Sequence, residues 1–167
     1  DLRPAVRIMG VGEVIEIFKE VGLPADVVKR FNLTKMSGTH GIGHTRMATE
    51  SAVTTMGAHP FSTGPDECLV HNGSLSNHNN LRRELVKAGM SFATQNDSEV
   101  AAAYLTAEMN KGEDLGGAHC AFECEQRVVG ACARTPEAEA VAAHKGGDLV
   151  GVEQAGVGGG VLQIPVD

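Results

Sequence analysis

Glycine and proline are so frequent in the middle of this 167-residue chain that no helix fits there. Residues 38–49 alternate in character and contain three glycines, and residues 54–65 contain two glycines and two prolines. Glycine within an extended segment indicates close approach by another backbone, while proline excludes the helix interior. We therefore predict a strand followed by a loop over residues 38–49, and a loop over residues 54–65.

Helical patterns lie on both sides of this region. Apolar residues recur with a 3.6-residue period over residues 13–21, which predicts a helix there, and Pro24 is placed to open a second helix that ends near residue 31. Two further helices are predicted over residues 79–88 and 98–110, each closed by a glycine. Asn96 and Glu99 have the spacing of a capping box at the start of the last one.

A short strand over residues 68–70 ends abruptly at Asn72-Gly73, and this turn can carry chemistry. Such a turn can direct a side-chain amide and a backbone N–H at one point, as an oxyanion requires. Arg46 follows a predicted strand and could hold a carboxylate, and Asp97 could accept from an ammonium group. Each has an ordinary alternative: a surface charge for Arg46, a plain turn for Asn72-Gly73, and an N-cap for Asp97.

The end of the chain differs in composition from the rest. Residues 116–167 contain ten glycines, three of the four cysteines and a single aromatic residue, Phe122. Short strands are predicted at residues 128–129 and 161–166, with a weak helix over residues 136–144. We expect two parts: a domain over residues 1–115 and an atypical, poorly core-forming tail over residues 116–167.

Charge and cysteine spacing exclude several classes of function. The formal net charge of −7 argues against a nucleic-acid or anionic-membrane partner, which it would repel. No apolar run reaches the roughly 18 residues of a membrane span, and no secretory signal is visible. The four cysteines match no zinc ribbon or Cys-x-x-Cys motif, so we expect reduced thiols and a cytoplasmic location.

Histidines raise the alternative of a metal site. His40 and His44 are four residues apart, and His59, His71 and His78 follow. The glycines between the first two argue against the helix that would bring them to one face, so the prediction is that no metal is bound.

Four motifs occur in family order and at matching intervals, and they resemble those of the class II (N-terminal-nucleophile) glutamine amidotransferases. They are Gly-Ile-Gly-His-Thr-Arg-Met-Ala-Thr at residues 41–49, Ala-His-Pro at 58–60, Val-His-Asn-Gly at 70–73 and Asn-Asp-Ser-Glu at 96–99. The resemblance covers residues 37–112. It implies an α+β fold, the four-layer αββα sandwich of N-terminal-nucleophile hydrolases, here a partial domain incomplete at both ends.

The resemblance also implies a reaction and its residues. The family hydrolyses L-glutamine to L-glutamate and ammonia without a cofactor, and the ammonia passes to a partner synthase domain or subunit. By this resemblance, Arg46 and Thr49 bind the glutamine α-carboxylate, and Asp97 binds the α-ammonium group. Asn72 and Gly73 form the oxyanion hole, and His59 supports the glutamine loop. Met47 departs from the pattern, because several relatives have an aromatic residue there.

The family nucleophile is a cysteine at the mature N-terminus, whereas this sequence begins with Asp1. We therefore expect a preceding segment that carries the cysteine and the first strand. The alternative is a catalytically dead amidotransferase-like module kept for binding or assembly. Within the family, the chain looks most like the separate amidotransferase subunit of a glutamate-synthase-like enzyme, such as N-methylglutamate synthase.

Overall fold

The computed structural model describes residues 8–37, 41–45, 53–72, 74–128, 139–144 and 149–151, with backbone only at Asn72 and from residue 123 onward. Its elements in chain order are α1 (Pro24–Arg30), a 3-10 turn (Leu33–Lys35), β1 (Glu67–Asn72), α2 (His78–Lys87), α3 (Asp97–Asn110), α4 (Leu115–Val128), β2 (Glu139–His144) and β3 (Leu149–Gly151).

The three strands form one antiparallel sheet in the order β1-β2-β3. β1 runs against β2 with Glu67 opposite His144 and Asn72 opposite Glu139. Phe61, in the loop before β1, pairs with Leu69 of β1: the N–H of Phe61 donates to the carbonyl of Leu69 at 2.9 Å, and the N–H of Leu69 donates to the carbonyl of Phe61 at 2.8 Å. The loop before β1 is therefore hydrogen-bonded to the strand that ends at Asn72.

Helix α3 is central among the described residues, because it contacts β1, α2 and α4, while α4 also contacts β2 and β3. Three of its eight buried residues are alanines, Ala101, Ala102 and Ala103, whose small side chains leave room for the neighbouring elements. The core contains Phe61, Leu69, Leu75, Leu81, Leu85, Val100, Ala101, Ala102, Ala103, Leu105, Leu115, Ala118 and Phe122. Burial of this apolar surface is the main stabilising term of the fold.

The helix predicted over residues 13–21 is wrong, and the reason is a contact distant in sequence. No helix forms there; instead Asp66 Oδ1 accepts from the backbone N–H groups of Glu13, Val14 and Ile15, at 2.7, 2.8 and 3.3 Å. Asp66 has a φ of 52°, the left-handed region that aspartate tolerates better than most residues. The carboxylate binds these N–H groups, and the segment continues without regular structure to α1.

The other helices are confirmed within a residue or two as α1, α2 and α3. The weak helix predicted over residues 136–144 is wrong, because Glu139–His144 is β2 and pairs with β1. Val128, predicted in a strand, is the last residue of α4. The predicted strand at residues 161–166 lies outside the described residues, and residues 41–45 have no regular secondary structure.

The predicted division after residue 115 falls in the first turn of α4. The division itself stays a prediction, but Leu115, Ala118 and Phe122 pack in the same core as α3. Across the described part of the chain, no helix is both long and apolar enough to cross a membrane.

Candidate active site

The end of β1 and the beginning of α3 are joined by a buried hydrogen bond. His71 Nδ1 lies 3.1 Å from Ser98 Oγ, and both side chains are buried. Asn72 follows His71 as the last residue of β1, and Asp97 precedes Ser98 as the first residue of α3. Asn72, predicted for the oxyanion hole, and Asp97, predicted for the α-ammonium group, are therefore chain neighbours of a hydrogen-bonded pair.

Asp97 is oriented by the loop that follows β1. Its Oδ2 accepts from the backbone N–H of Leu75 at 2.9 Å, and Ser98 Oγ lies 3.4 Å from its Oδ1. The N-cap is Asn96, whose side chain accepts from Ser98 N, so the N-cap alternative for Asp97 is wrong. Asp97 is only partly buried, and the positive end of α3 favours its negative charge. A partly accessible carboxylate held in this way can bind an ammonium group.

The segment before Asp97 is held by two charged side chains. Glu99 accepts from the N–H of Ala93 at 2.7 Å and from the N–H and hydroxyl of Thr94 at 2.8 and 2.6 Å. Arg82, from α2, donates to the carbonyls of Thr94 and Asn96 at 2.8 and 3.0 Å. In the predicted capping box Asn96 acts as expected, whereas the Glu99 side chain binds Ala93 and Thr94.

His59 lies in a group of three ring side chains beside β1, tilted against His44 and edge-to-face with Phe61. It is 9% exposed, and its ring centroid is 4.2 Å from that of His44 and 5.1 Å from that of Phe61. Since Phe61 is bonded to Leu69 of β1, these contacts place the 58–60 motif against the strand and bring it to the 41–49 motif. The peptide bond between His59 and Pro60 is cis.

Lys19 also lies beside these rings, although the sequence pattern of residues 13–21 predicted only a helix there. Its Nζ lies 4.6 Å from the centre of the Phe61 ring and donates to the carbonyl of Met56 at 3.3 Å. Burial lowers the pKa of Lys19 from 10.5 to about 8, against the opposing effect of the Glu99 carboxylate. The only sequence signal is a lysine directly preceded by Ile17 and Phe18.

Cys68 does not have the properties of a nucleophile. It is a buried residue of β1, as predicted. Burial and the adjacent Glu67 carboxylate raise the pKa of its thiol to about 11, so it is almost entirely protonated at neutral pH. No group of three or more His, Cys, Asp or Glu that could hold a metal occurs within the described ranges.

The structure locates some of the predicted site residues and not others. Arg46, Thr49 and Gly73 lie outside the described residues, and only the backbone of Asn72 is described. Their roles stay predictions. The structure places Asp97 next to the end of β1, and it places the His59 ring in contact with the His44 ring.

The family of the chain follows from its comparison with known proteins. A family described as a glutamine amidotransferase domain matches residues 31–120, more than half of the chain, and the chain belongs to that family. The match contains both Asp97 and the strand that leads to Asn72-Gly73.

Its relatives carry related names. It is 76% identical over 117 residues to a glutamine amidotransferase-like protein GlxB of Rhizobium meliloti, covering 70% of this chain and 39% of the relative. It is 36% identical over 112 residues to a putative glutamine amidotransferase of Methanothermobacter thermautotrophicus, covering 66% and 37%. An amidophosphoribosyltransferase of Methanocaldococcus jannaschii is 38% identical over 106 residues, covering 62% and 22%. The chain thus spans less than two fifths of each of these relatives.

Proposed function

We propose that this chain carries the glutamine site of a class II glutaminase, which hydrolyses L-glutamine to L-glutamate and ammonia. Membership of the glutamine amidotransferase domain family supports the reaction. The observation that carries the proposal is the orientation of Asp97 at the end of β1, by the N–H of Leu75 and next to the His71–Ser98 bond. Asp97 binds the α-ammonium group of glutamine in this proposal.

The remaining roles complete the substrate contacts. Arg46 and Thr49 bind the α-carboxylate, since a guanidinium donates two parallel hydrogen bonds to a carboxylate. His59 supports the loop that covers glutamine; its packing between His44 and Phe61 supports a positioning role. We further propose that the sheet and the helices packed on it belong to a four-layer αββα sandwich.

The chemistry requires a thiolate from the N-terminal cysteine of the mature protein. Its sulfur attacks the amide carbon while its own α-amino group takes the thiol proton. The side-chain amide of Asn72 and the N–H of Gly73 stabilise the tetrahedral oxyanion. The same proton passes to the departing ammonia, and water then hydrolyses the thioester to release glutamate and regenerate the thiol. The high pKa of Cys68 argues against its taking this part.

The ammonia acceptor is proposed to be a separate synthase subunit of a glutamate-synthase-like enzyme. Such an enzyme uses glutamine as a nitrogen source only if the released ammonia reaches the active site of the synthase. Copurification of the full-length protein with a synthase subunit, and glutamine-dependent synthesis by the pair, would support this partner. Glutamine hydrolysis by an isolated protein with no stable partner would contradict it.

The test of the reaction is glutamate release from L-glutamine by the full-length protein. We expect Asn72→Ala to lower kcat by about 10²–10³, the usual loss for one oxyanion donor. Asn79→Ala, an exposed residue in the first turn of α2, is the matched control and should leave kcat unchanged. Unchanged kinetics in Asn72→Ala would remove that residue from the mechanism, and glutamine binding without any hydrolysis would favour the binding-module alternative.

A further inference from the structure

We propose that Arg82 is a positioning residue for glutamine selectivity, which acts by holding the 92–96 segment so that Asp97 faces the α-ammonium group. The inference rests on the proposed function, because it assigns Asp97 to that group. Arg82 lies on α2, outside the four motifs, and it contacts the segment before Asp97 through two backbone carbonyls and the Phe92 ring.

The contacts of Arg82 converge on one short segment. Its Nη1 and Nη2 donate to the carbonyls of Thr94 and Asn96 at 2.8 and 3.0 Å. Its guanidinium lies 4.5 Å from the centre of the Phe92 ring. The planar fork of arginine suits this arrangement, because it can donate from two nitrogens while its face stacks on a ring. Lysine, with a single ammonium group, cannot reproduce all three contacts.

The helix that carries Arg82 is anchored in the core. Arg82 follows Leu81 on α2, and both Leu81 and Leu85 are buried in the core. A side chain on a helix that is fixed in this way can hold a loop in one position. The fixed loop is the one that ends at Asn96, the N-cap of α3, directly before Asp97.

The N–H groups of the same segment are held by Glu99, which accepts from Ala93 and Thr94. A cation thus binds the carbonyls and an anion binds the N–H groups of one five-residue loop. Charge-assisted hydrogen bonds of this kind are stronger than neutral ones, and together they restrict where α3 begins. Since Asp97 is the first residue of α3, the direction of its carboxylate depends on this restriction.

Ligands that differ only in the α-ammonium group separate positioning from general stability. L-Glutamate is the product of the proposed reaction, and glutarate is the same molecule without the ammonium group. Neither is hydrolysed, so their dissociation constants do not depend on the nucleophile. Isothermal titration calorimetry on the full-length protein gives both constants, and their ratio is the selectivity for the ammonium group.

We expect Arg82→Met to raise the Kd of L-glutamate by about ten- to a hundredfold, the size of effect that a small misplacement of a binding group can produce. The Kd of glutarate should change by no more than about twofold, because Asp97 has no partner on that ligand. Arg82→Lys should lose about threefold in selectivity, since it keeps the charge but not both carbonyl contacts. Combining Arg82→Met with Asp97→Asn should add no further loss of selectivity, because both act through one interaction.

Arg83→Met is the matched control. Arg83 is the next residue of the same helix, is exposed, and donates to Asn80 of its own helix. Both dissociation constants should stay at the wild-type values, so a change in net charge alone is excluded as the cause.

Different outcomes overturn the proposed function and the role of Arg82. If wild-type protein binds neither ligand, or if Asp97→Asn keeps the selectivity, the proposed function fails and this inference falls with it. If Asp97→Asn abolishes the selectivity but a folded Arg82→Met retains it, the inference alone is overturned. Should Arg82→Met not fold, undiminished selectivity in a folded Arg82→Lys would overturn it.

Discussion

Replacement of Glu99 by glutamine tests how strongly its carboxylate stabilises the loop before α3. Glu99 is buried and accepts three hydrogen bonds, from Ala93 N and from the N–H and hydroxyl of Thr94. Glutamine has the same size, but one of its two terminal atoms is an NH₂ donor. In either orientation of the amide, a donor then faces a backbone N–H. At least one hydrogen bond is lost, and the others become neutral.

The expected cost follows from these contacts. Loss of one bond to a charged acceptor costs about 1.5–3 kcal/mol, and weakening of the others adds a further ~1 kcal/mol. We therefore expect Glu99→Gln to lower the free energy of unfolding by about 2–4 kcal/mol. Urea denaturation measures it: with a slope m of about 2 kcal/mol/M, the midpoint should fall by about 1–2 M.

Glu84→Gln provides the control for this measurement. Glu84 is exposed on α2, so its replacement makes the same change in charge without the loop contacts. Its free energy of unfolding should stay within about 0.5 kcal/mol of the wild type. Equal stabilities of the two variants would refute the assignment of a stabilising role to the buried carboxylate.

Two further predictions concern the core and the buried lysine. Leu69 is 1% exposed on β1, so Leu69→Ala should lower the free energy of unfolding by about 2–5 kcal/mol. Val86→Ala, at an exposed position of α2, should lower it by less than about 1 kcal/mol. Equal losses in the two variants would contradict the packing described. The pKa of Lys19 falls from 10.5 in the unfolded chain to about 8 in the folded one, so the unfolded state binds more protons between these pH values. The free energy of unfolding of the wild type should therefore rise between pH 8 and 10.5 relative to that of Lys19→Met. The control Lys29→Met, at an exposed site, should show the same rise as the wild type. Parallel pH profiles for the wild type and Lys19→Met would show that Lys19 is not buried.

Part of the candidate site was predictable because its signals are local. The Asn-Gly pair after a short apolar run predicts the end of β1, and the capping-box spacing of Asn96 and Glu99 predicts the start of α3. Helix α2 follows from apolar residues at helical spacing, and α2 and α3 are closed by Gly89 and Gly112, which adopt φ values of 96° and 104°. These features require no knowledge of which segments meet.

The hydrogen-bond partners of Glu99 could not be predicted from local sequence signals. Its spacing from Asn96 predicts a capping box, and Asn96 is indeed the N-cap. The carboxylate nevertheless binds the N–H groups of Ala93 and Thr94, because the loop turns back over the start of α3. Both arrangements satisfy backbone donors, and a spacing rule cannot distinguish between them.

The sequence by itself determined helices α1, α2 and α3, the end of β1 near Asn72 and the order of the family motifs, since each depends on residues close together in the chain. Only the tertiary structure decided that residues 13–21 form no helix, because Asp66 binds three of their N–H groups from more than 50 positions away. It also decided that Glu139–His144 is a strand, through pairing with β1, and that Arg82 reaches the loop before Asp97. Such contacts join residues that no periodicity relates, and their free energy outweighs the weak local preference for a helix.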